Sequence, residues 1–149
     1  MTEAETGQNT RVLVVAAHPD DELLGVAGTL LRHRDQGDSI SMLILSNGED
    51  SRDSAPQTQE RIASTRAVAM ALGAEGLYME DLPDNQFDSV PLLKIAKLVE
   101  RVVDVVKPDI IYTHYAHDLN VDHRLTLEAV VTACRPMPRP TRRNSIASA

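Results

Sequence analysis

The chain has 149 residues, of which 42% are hydrophobic and 25% charged, and its formal net charge is −7. This length allows one compact domain with a hydrophobic core, and the balance is typical of a globular protein. The negative charge argues against nucleic-acid binding through a broad basic face. No apolar run approaches the roughly 20 residues of a transmembrane helix, so no transmembrane segment is expected. A single cysteine allows no intrachain disulfide, and we expect a cytoplasmic location.

Hydrophobic periodicity predicts strands and helices that alternate along the chain after a flexible N-terminus at 1–10. Short apolar runs between turn signals predict strands at 11–17, 39–45, 77–79 and 109–113. Apolar residues that recur every three or four positions predict helices at 23–34, 57–72, 92–106 and 122–134. The polar stretch 46–56 is predicted to be a loop.

This alternation of strands and helices predicts the fold class. Strand–helix–strand crossovers indicate an α/β protein with a mainly parallel sheet that helices cover on both faces. Ligands of such sheets bind beyond the carboxyl ends of the strands. Residues 18–22 follow the first predicted strand and residues 114–123 follow the last one. If these two strands are neighbours, the two polar segments meet at one crevice.

The two segments contain the residue types of a metal site. Residues 17–22 read Ala-His-Pro-Asp-Asp-Glu, and residues 120–123 read Asn-Val-Asp-His. Hydrolytic zinc usually has three protein ligands and one position left for water. The imidazoles of His18 and His123 and the carboxylate of Asp21 form such a set. They predict a mononuclear metal site of the kind that hydrolyses an amide.

The remaining carboxylates have candidate roles in the same chemistry. Asp20, beside Asp21, is a candidate general base that takes a proton from the attacking water and passes it to the leaving amine. Asp122 is a candidate supporting group that hydrogen-bonds an imidazole and sets its orientation. Two alternatives stay open at this point. Acidic residues are ordinary at a helix start, and an acidic loop of a doubly wound nucleotide-binding or signalling domain could hold Mg²⁺.

The motifs resemble those of the LmbE/PIG-L family of metal-dependent N-acetylglucosaminyl deacetylases. The first family signature stands intact at 17–22, and the second is similar to Asp122-His123 followed by Thr126. The resemblance covers about residues 11–134. It implies a Rossmann-like three-layer α/β/α domain with a zinc ion. Its implied ligands are His18, Asp21 and His123, and its implied base is Asp20. Fe²⁺ is the alternative metal, since two histidines and one carboxylate can hold either.

The resemblance also implies a substrate class. Family members remove an acetyl or related acyl group from an amino sugar or its conjugate, so a small-molecule partner is expected. Arg61 resembles a family arginine that lies towards the substrate. Asn120 stands where many members carry a histidine that stabilises the oxyanion, and His117 or His114 is a candidate to compensate. The sequence leaves the oligomeric state open.

Residues 135–149 depart from the family pattern. Family domains continue well past this point, whereas Pro136, Pro138 and Pro140 rule out a central strand here. We expect a disordered tail at 135–149 and a partial deacetylase domain at 11–134. The corresponding hypothesis is a truncated or frame-shifted member. Its alternative function is that of a metal- or sugar-binding protein with weak or absent turnover.

Overall fold

The computed structural model describes residues 9–46, 55–136 and 145–148. The strands in these ranges are β1 (Arg11–Ala16), β2 (Ser39–Ile44), β3 (Ala74–Met79), β4 (Ile110–Thr113) and β5 (Ser145–Ser148). They form one sheet of order β3-β2-β1-β4-β5, and every neighbouring pair is parallel. The α-helices are α1 (Asp21–Asp35), α2 (Ala55–Leu72), α3 (Leu92–Val106) and α4 (Val121–Ala133), and a short 3-10 helix spans Phe87–Ser89.

The helices cover both faces of the sheet because β1 is apolar on both sides. Leu13 and Val15 face a core that contains residues of α3 and α4, including Val99. Val12 and Val14 face a second core with residues of α1 and α2. A strand buried on both faces reads as a continuous apolar run rather than an alternating one. The predicted α/β fold with a parallel sheet between two helical layers is therefore confirmed.

Most predicted element boundaries lie within two residues of the observed ones. The strand predicted at 77–79 instead begins at Ala74. Ala74, Glu75 and Gly76 are weak strand formers. The pairing of Ala74 and Gly76 with β2 extends the strand where local propensity does not predict one.

The structure differs from the expectation of a disordered tail at 135–149. Ser145–Ser148 form β5, which pairs in parallel with β4. The three prolines stand at positions 136, 138 and 140, and 145–148 contains none. The expectation is thus wrong for these four residues, because an edge strand needs a partner on one side only. Residues 137–144 and 149 lie outside the described residues.

Two other predictions fall largely outside the described residues. The flexible N-terminus was predicted at 1–10, of which 1–8 are not described, and the loop was predicted at 46–56, of which 47–54 are not described. Within the described part, Thr10 is attached to the fold. Its N–H donates to Asp38 Oδ1 at 2.8 Å, and its carbonyl accepts the N–H of Ser39. No helix in the described ranges is long and apolar enough to cross a membrane.

The strand order places β1 beside β4, which is the condition under which the sequence predicts one crevice for the two polar segments. The chain runs from β1 outward to β2 and β3, then returns to place β4 on the other side of β1. The crossovers therefore reverse direction between β1 and β4, and in open α/β sheets the crevice at such a point is where ligands bind.

Candidate metal centre

The three predicted ligands come together at the carboxyl ends of β1 and β4. Asp21 Oδ2 lies 3.3 Å from His18 Nδ1 and 3.3 Å from His123 Nε2. A tetrahedral ion with bonds of 2.0–2.1 Å separates its ligand atoms by about 3.4 Å. The spacing and the donor types of His18, Asp21 and His123 therefore fit a metal ion of this kind.

A strained turn at Asp20 positions the first two predicted ligands, His18 and Asp21. Asp20 has a φ of 93°, a left-handed conformation that costs a residue other than glycine about 1–3 kcal/mol. Its N–H donates to Glu22 Oε2 at 3.0 Å, and the N–H of His18 donates to Asp21 Oδ2 at 2.9 Å. The turn thus folds Asp21 back over His18 as α1 begins.

The other nitrogen of His18 faces two further carboxylates. Nε2 lies 2.8 Å from Asp122 Oδ2 and 3.2 Å from Asp84 Oδ1. Asp122 is fully buried and also accepts the backbone N–H groups of Asn85 at 2.7 Å and Phe87 at 2.9 Å. Asp122 therefore joins the loop after β3 to the start of α4 and orients the His18 ring.

These carboxylates control the charge of the site. Burial by itself would lower the pKa of His18, but the hydrogen bonds with Asp122 and Asp21 outweigh it and raise the pKa to about 9. Burial would likewise raise the pKa of Asp21, but the side chain and N–H of His18 lower it. The centre favours positive charge, which a bound cation would supply in place of the proton.

His123 and His114 stack on each other at the edge of the centre, with ring centroids 3.9 Å apart. His123 Nδ1 lies 2.8 Å from Asp118 Oδ2, so the other ring nitrogen of His123, Nε2, faces Asp21. His114 Nε2 accepts the N–H of Ala17 at 2.9 Å. Burial and the neighbouring His123 lower the pKa of His114 to about 4. His114 is therefore a neutral ring whose Nε2 lone pair is already occupied.

Asn120 is the N-cap residue of α4. Its Oδ1 accepts the N–H groups of Asp122 at 2.9 Å and His123 at 3.3 Å, and this capping positions the ligand-bearing first turn. Because Oδ1 is used in this way, the side-chain NH₂ is the group that Asn120 can offer as a donor.

A cavity of about 570 Å³ opens beside the three ligands. Asp20 and Asn120 line it, and α2 contributes one helical stripe to its wall: Arg61, Ser64, Thr65 and Val68. His117 is not among the described residues that line this cavity. It is exposed, and its ring contacts Tyr115 edge-on at 5.3 Å between centroids. The structure brings Arg61 to the site and leaves His117 outside.

The acidic groups in this cavity have shifted pKa values. Burial and the charge of Asp21 raise the pKa of Asp20, while His18 and Arg61 act in the opposite direction. Glu22, 1% exposed, has a pKa that burial raises. The cavity therefore holds protonatable carboxyl groups beside the predicted ligands.

Sequence reasoning missed the part that Asp84 plays. It lies in the loop after β3, touches His18 and lines the cavity. The sequence feature that could have indicated this role is the position of Asp84 in a Pro-Asp-Asn turn directly after a predicted strand. The carboxyl ends of all strands in a parallel sheet lie at the same edge, so a residue in this turn is expected near the site.

The protein has a parallel sheet between two helical layers, and its histidine–carboxylate cluster lies where the crossovers reverse direction between β1 and β4. These features define its class: it is a Rossmann-like α/β protein with a site suited to a metal ion. The family described as PIG-L: GlcNAc-PI de-N-acetylase matches residues 13–134, and the chain belongs to this family. The resemblance carried by residues 17–22 and 122–126 is thereby confirmed.

Individual relatives are similar in sequence and structure. A probable N-acetyl-alpha-D-glucosaminyl L-malate deacetylase 2 of Bacillus cereus is 29% identical over 140 residues, which cover 88% of this chain and 64% of that protein. The conserved protein TT1542 from Thermus thermophilus is 29% identical, with a TM-score of 0.73 over 92% of this chain and 64% of that one. An N,N'-diacetylchitobiose deacetylase from Pyrococcus horikoshii shares the fold at 20% identity, with a TM-score of 0.72 over 83% of this chain and 48% of that one. The chain thus spans less than two thirds of the length of these relatives.

Proposed function

We propose that this protein is a metal-dependent hydrolase that removes an acetyl or other acyl group from the nitrogen of an amino sugar or its conjugate. The observation that carries the proposal is the position of Asp21 Oδ2, 3.3 Å from one nitrogen of each ligand histidine, in the wall of a cavity that Asp20 also lines. Relatives named as deacetylases support the reaction class. The partner is a small molecule, and a cytoplasmic location fits the free thiol of Cys134.

His18, Asp21 and His123 would hold the metal. This donor set suits zinc, and Fe²⁺ is the alternative. When bound, the ion supplies Lewis acidity, which lowers the pKa of water and polarises an amide carbonyl. Asp122 orients His18 in this scheme, because its carboxylate fixes the Nε2 side of the ring.

Asp20 is the general base of this proposal. It accepts a proton from the water that attacks the carbonyl carbon. The carbon–nitrogen bond then breaks, and the same carboxyl group returns the proton to the leaving amine. Two properties of Asp20 favour this role. It lines the cavity without being one of the clustered ligands, and burial raises its pKa, which makes the carboxylate a better base.

Two further residues would act on the substrate. The side-chain NH₂ of Asn120 would donate to the oxyanion that forms at the carbonyl oxygen, an interaction that can contribute about 3 kcal/mol in a transition state. Arg61 would hold a polar or anionic part of the substrate, since it places a cation on the cavity wall. His117 lies outside the cavity and has no role in this scheme.

The test is acetate release from a panel of N-acetylglucosamine conjugates, with metal quantified in the same samples. Asp20→Asn should keep its metal and lose at least about 100-fold in kcat. His18→Ala should lose the metal itself. Asp88→Asn, at an exposed position in the 3-10 helix, is the matched control and should change neither.

Three results would contradict the proposal. Full activity in Asp20→Asn would exclude the assignment of the base. Full metal content in His18→Ala would exclude the ligand set. Metal-loaded protein that binds members of the panel without releasing acetate would instead identify a non-catalytic binding protein.

A further inference from the structure

Glu22 is a buried carboxyl group to which the proposed reaction assigns no role. It is 1% exposed and begins the buried stripe of α1, which continues with Val26 and Leu30. Apolar residues are expected along such a stripe, because it faces the core. A carboxyl group at this position loses its contact with water, which costs free energy unless a hydrogen bond compensates. The position of Glu22 therefore indicates a specific hydrogen-bond partner.

The partner of Glu22 is the backbone of Asp20. The N–H of Asp20 donates to Glu22 Oε2 at 3.0 Å, directly before the first turn of α1. The carbonyl of Asp20 accepts the N–H groups of Leu23 at 3.0 Å and Leu24 at 2.9 Å. The helix thus binds one polar group of the Asp20 backbone through its first hydrogen bonds and the other through the side chain of Glu22.

Asp20 occupies a position that glycine usually fills in a turn of this shape. The N–H of Asp21 donates to the carbonyl of His18 at 3.4 Å, with Pro19 and Asp20 between them. At Asp20, φ is 93° and ψ is −23°, which is close to the third residue of a type II turn. Glycine adopts this conformation readily, whereas an aspartate is strained in it. The conformation of Asp20 therefore depends on surrounding contacts that hold it in place.

We propose that Glu22 is a positioning residue, whose buried carboxyl group holds the turn at Asp20 and thereby places Asp21 at the metal centre. The inference rests on the proposed function, in which Asp21 is a ligand. Asp21 stands between Asp20 and Glu22, and its Oδ2 accepts the N–H of His18 at 2.9 Å across the same turn. Without the acceptor on Glu22, φ of Asp20 relaxes to negative values and Asp21 Oδ2 moves away from the two ligand histidines. This role needs an acceptor oxygen and no charge.

Zinc affinity measures this role independently of catalysis. Glu22→Met keeps the length of the side chain but removes the acceptor, and the affinity should fall at least about tenfold, as is typical when a supporting group is lost. Glu22→Gln keeps an acceptor oxygen and should stay within about threefold of the unmodified chain. Glu128→Met, at an exposed position on α4, is the matched control and should leave the affinity unchanged. Competition with a chromophoric chelator measures all four proteins.

A second background distinguishes positioning from a general structural effect. Asp20→Gly accepts a positive φ without strain, so its turn no longer depends on Glu22. In this background Glu22→Met should change the zinc affinity by less than about threefold, because the two substitutions act on the same turn and are coupled. A glutamate with a merely structural role would lower the affinity equally in both backgrounds.

Two results would overturn the role of Glu22, namely an unchanged zinc affinity in Glu22→Met or an equal loss in both backgrounds. If Glu22→Met does not fold, Glu22→Ala replaces it in both backgrounds, since it also lacks the acceptor. Acetate release by the unmodified chain is measured in the same samples. Acetate release together with an unchanged affinity in Glu22→Met would overturn the role of Glu22 alone. The expected loss of affinity without acetate release from the unmodified chain would support the role of Glu22 and overturn the proposed reaction.

Discussion

The Nδ1 atom of His123 lies 2.8 Å from Oδ2 of Asp118, on the side of the ring opposite the candidate metal centre. Asp118 is itself held, because its Oδ1 accepts the N–H of Asn120 at 2.9 Å. A carboxylate in this position fixes the tautomer and direction of an imidazole, so that Nε2 of His123 is the nitrogen available to a metal. The loop before α4 thus carries the group that positions a ligand at the start of that helix.

Replacement of Asp118 by asparagine should weaken metal binding. Loss of such a supporting carboxylate typically costs about 10–100-fold in metal affinity, and we expect a decrease of this size in Asp118→Asn. Competition with a chromophoric chelator measures the affinity, and the spectrum of the cobalt-loaded protein reports the geometry. Asp88→Asn is the control. An affinity unchanged within about twofold would show that Asp118 does not position His123.

Asp122 should be important for stability as well as for the site. Its carboxylate accepts two backbone N–H groups, from Asn85 and Phe87, and is fully buried. Asp122→Ala leaves both donors unsatisfied and should lower the free energy of unfolding by about 2–4 kcal/mol. Asp122→Asn, which keeps one acceptor oxygen, should recover part of this loss. Urea denaturation of the metal-free protein measures both, and a loss below about 1 kcal/mol in the alanine variant would contradict this account.

Asp38 should make stability depend on pH. Burial would raise the pKa of Asp38, but its hydrogen bonds with His33 at 2.6 Å and with the N–H of Thr10 hold it below its ordinary value. A carboxyl group whose pKa is lowered by folding stabilises the protein above its ordinary pKa of about 4, and this stabilisation is lost as the pH falls through the folded-state value.

Asp38→Asn should therefore lower the free energy of unfolding by about 1–2 kcal/mol at about pH 6 and make a progressively smaller difference below about pH 4. Urea denaturation from about pH 3 to about pH 6 measures this difference. Asp104→Asn, at an exposed position on α3, serves as the control. A difference that stays constant over this range would exclude the charged form of Asp38 as its source.

Two glycines should respond oppositely to alanine. Gly73 has a φ of +77°, and a Cβ there would lie 2.8 Å from Cδ of Arg34, so Gly73→Ala should destabilise the protein by about 1–2 kcal/mol. Gly28 lies within α1 with open space around it, and Gly28→Ala should stabilise by about 0.5–1 kcal/mol. Thermal unfolding of both variants checks the pair. Equal shifts of the same sign would contradict the structural distinction.

The sequence alone determined the features that depend on neighbouring residues. The apolar run before His18 predicts a buried strand, and the spacing in 92–106 predicts an amphipathic helix, because burial on a strand or helix follows a short local period. The motif at 17–22 places a histidine and carboxylates directly after that strand. These local patterns were sufficient for the fold class and for the family.

Only the tertiary structure decided which distant groups meet. The pairing of β1 with β4 brings His123 to Asp21, and the loop after β3 brings Asp84 to His18. The path of the loop after β4 turns His117 outward, although His117 stands next to Asp118 in sequence. Strand order and loop paths follow from packing between residues far apart in the chain. The ligand types could thus be predicted from sequence, whereas most of the groups that orient them and the cavity beside them could not.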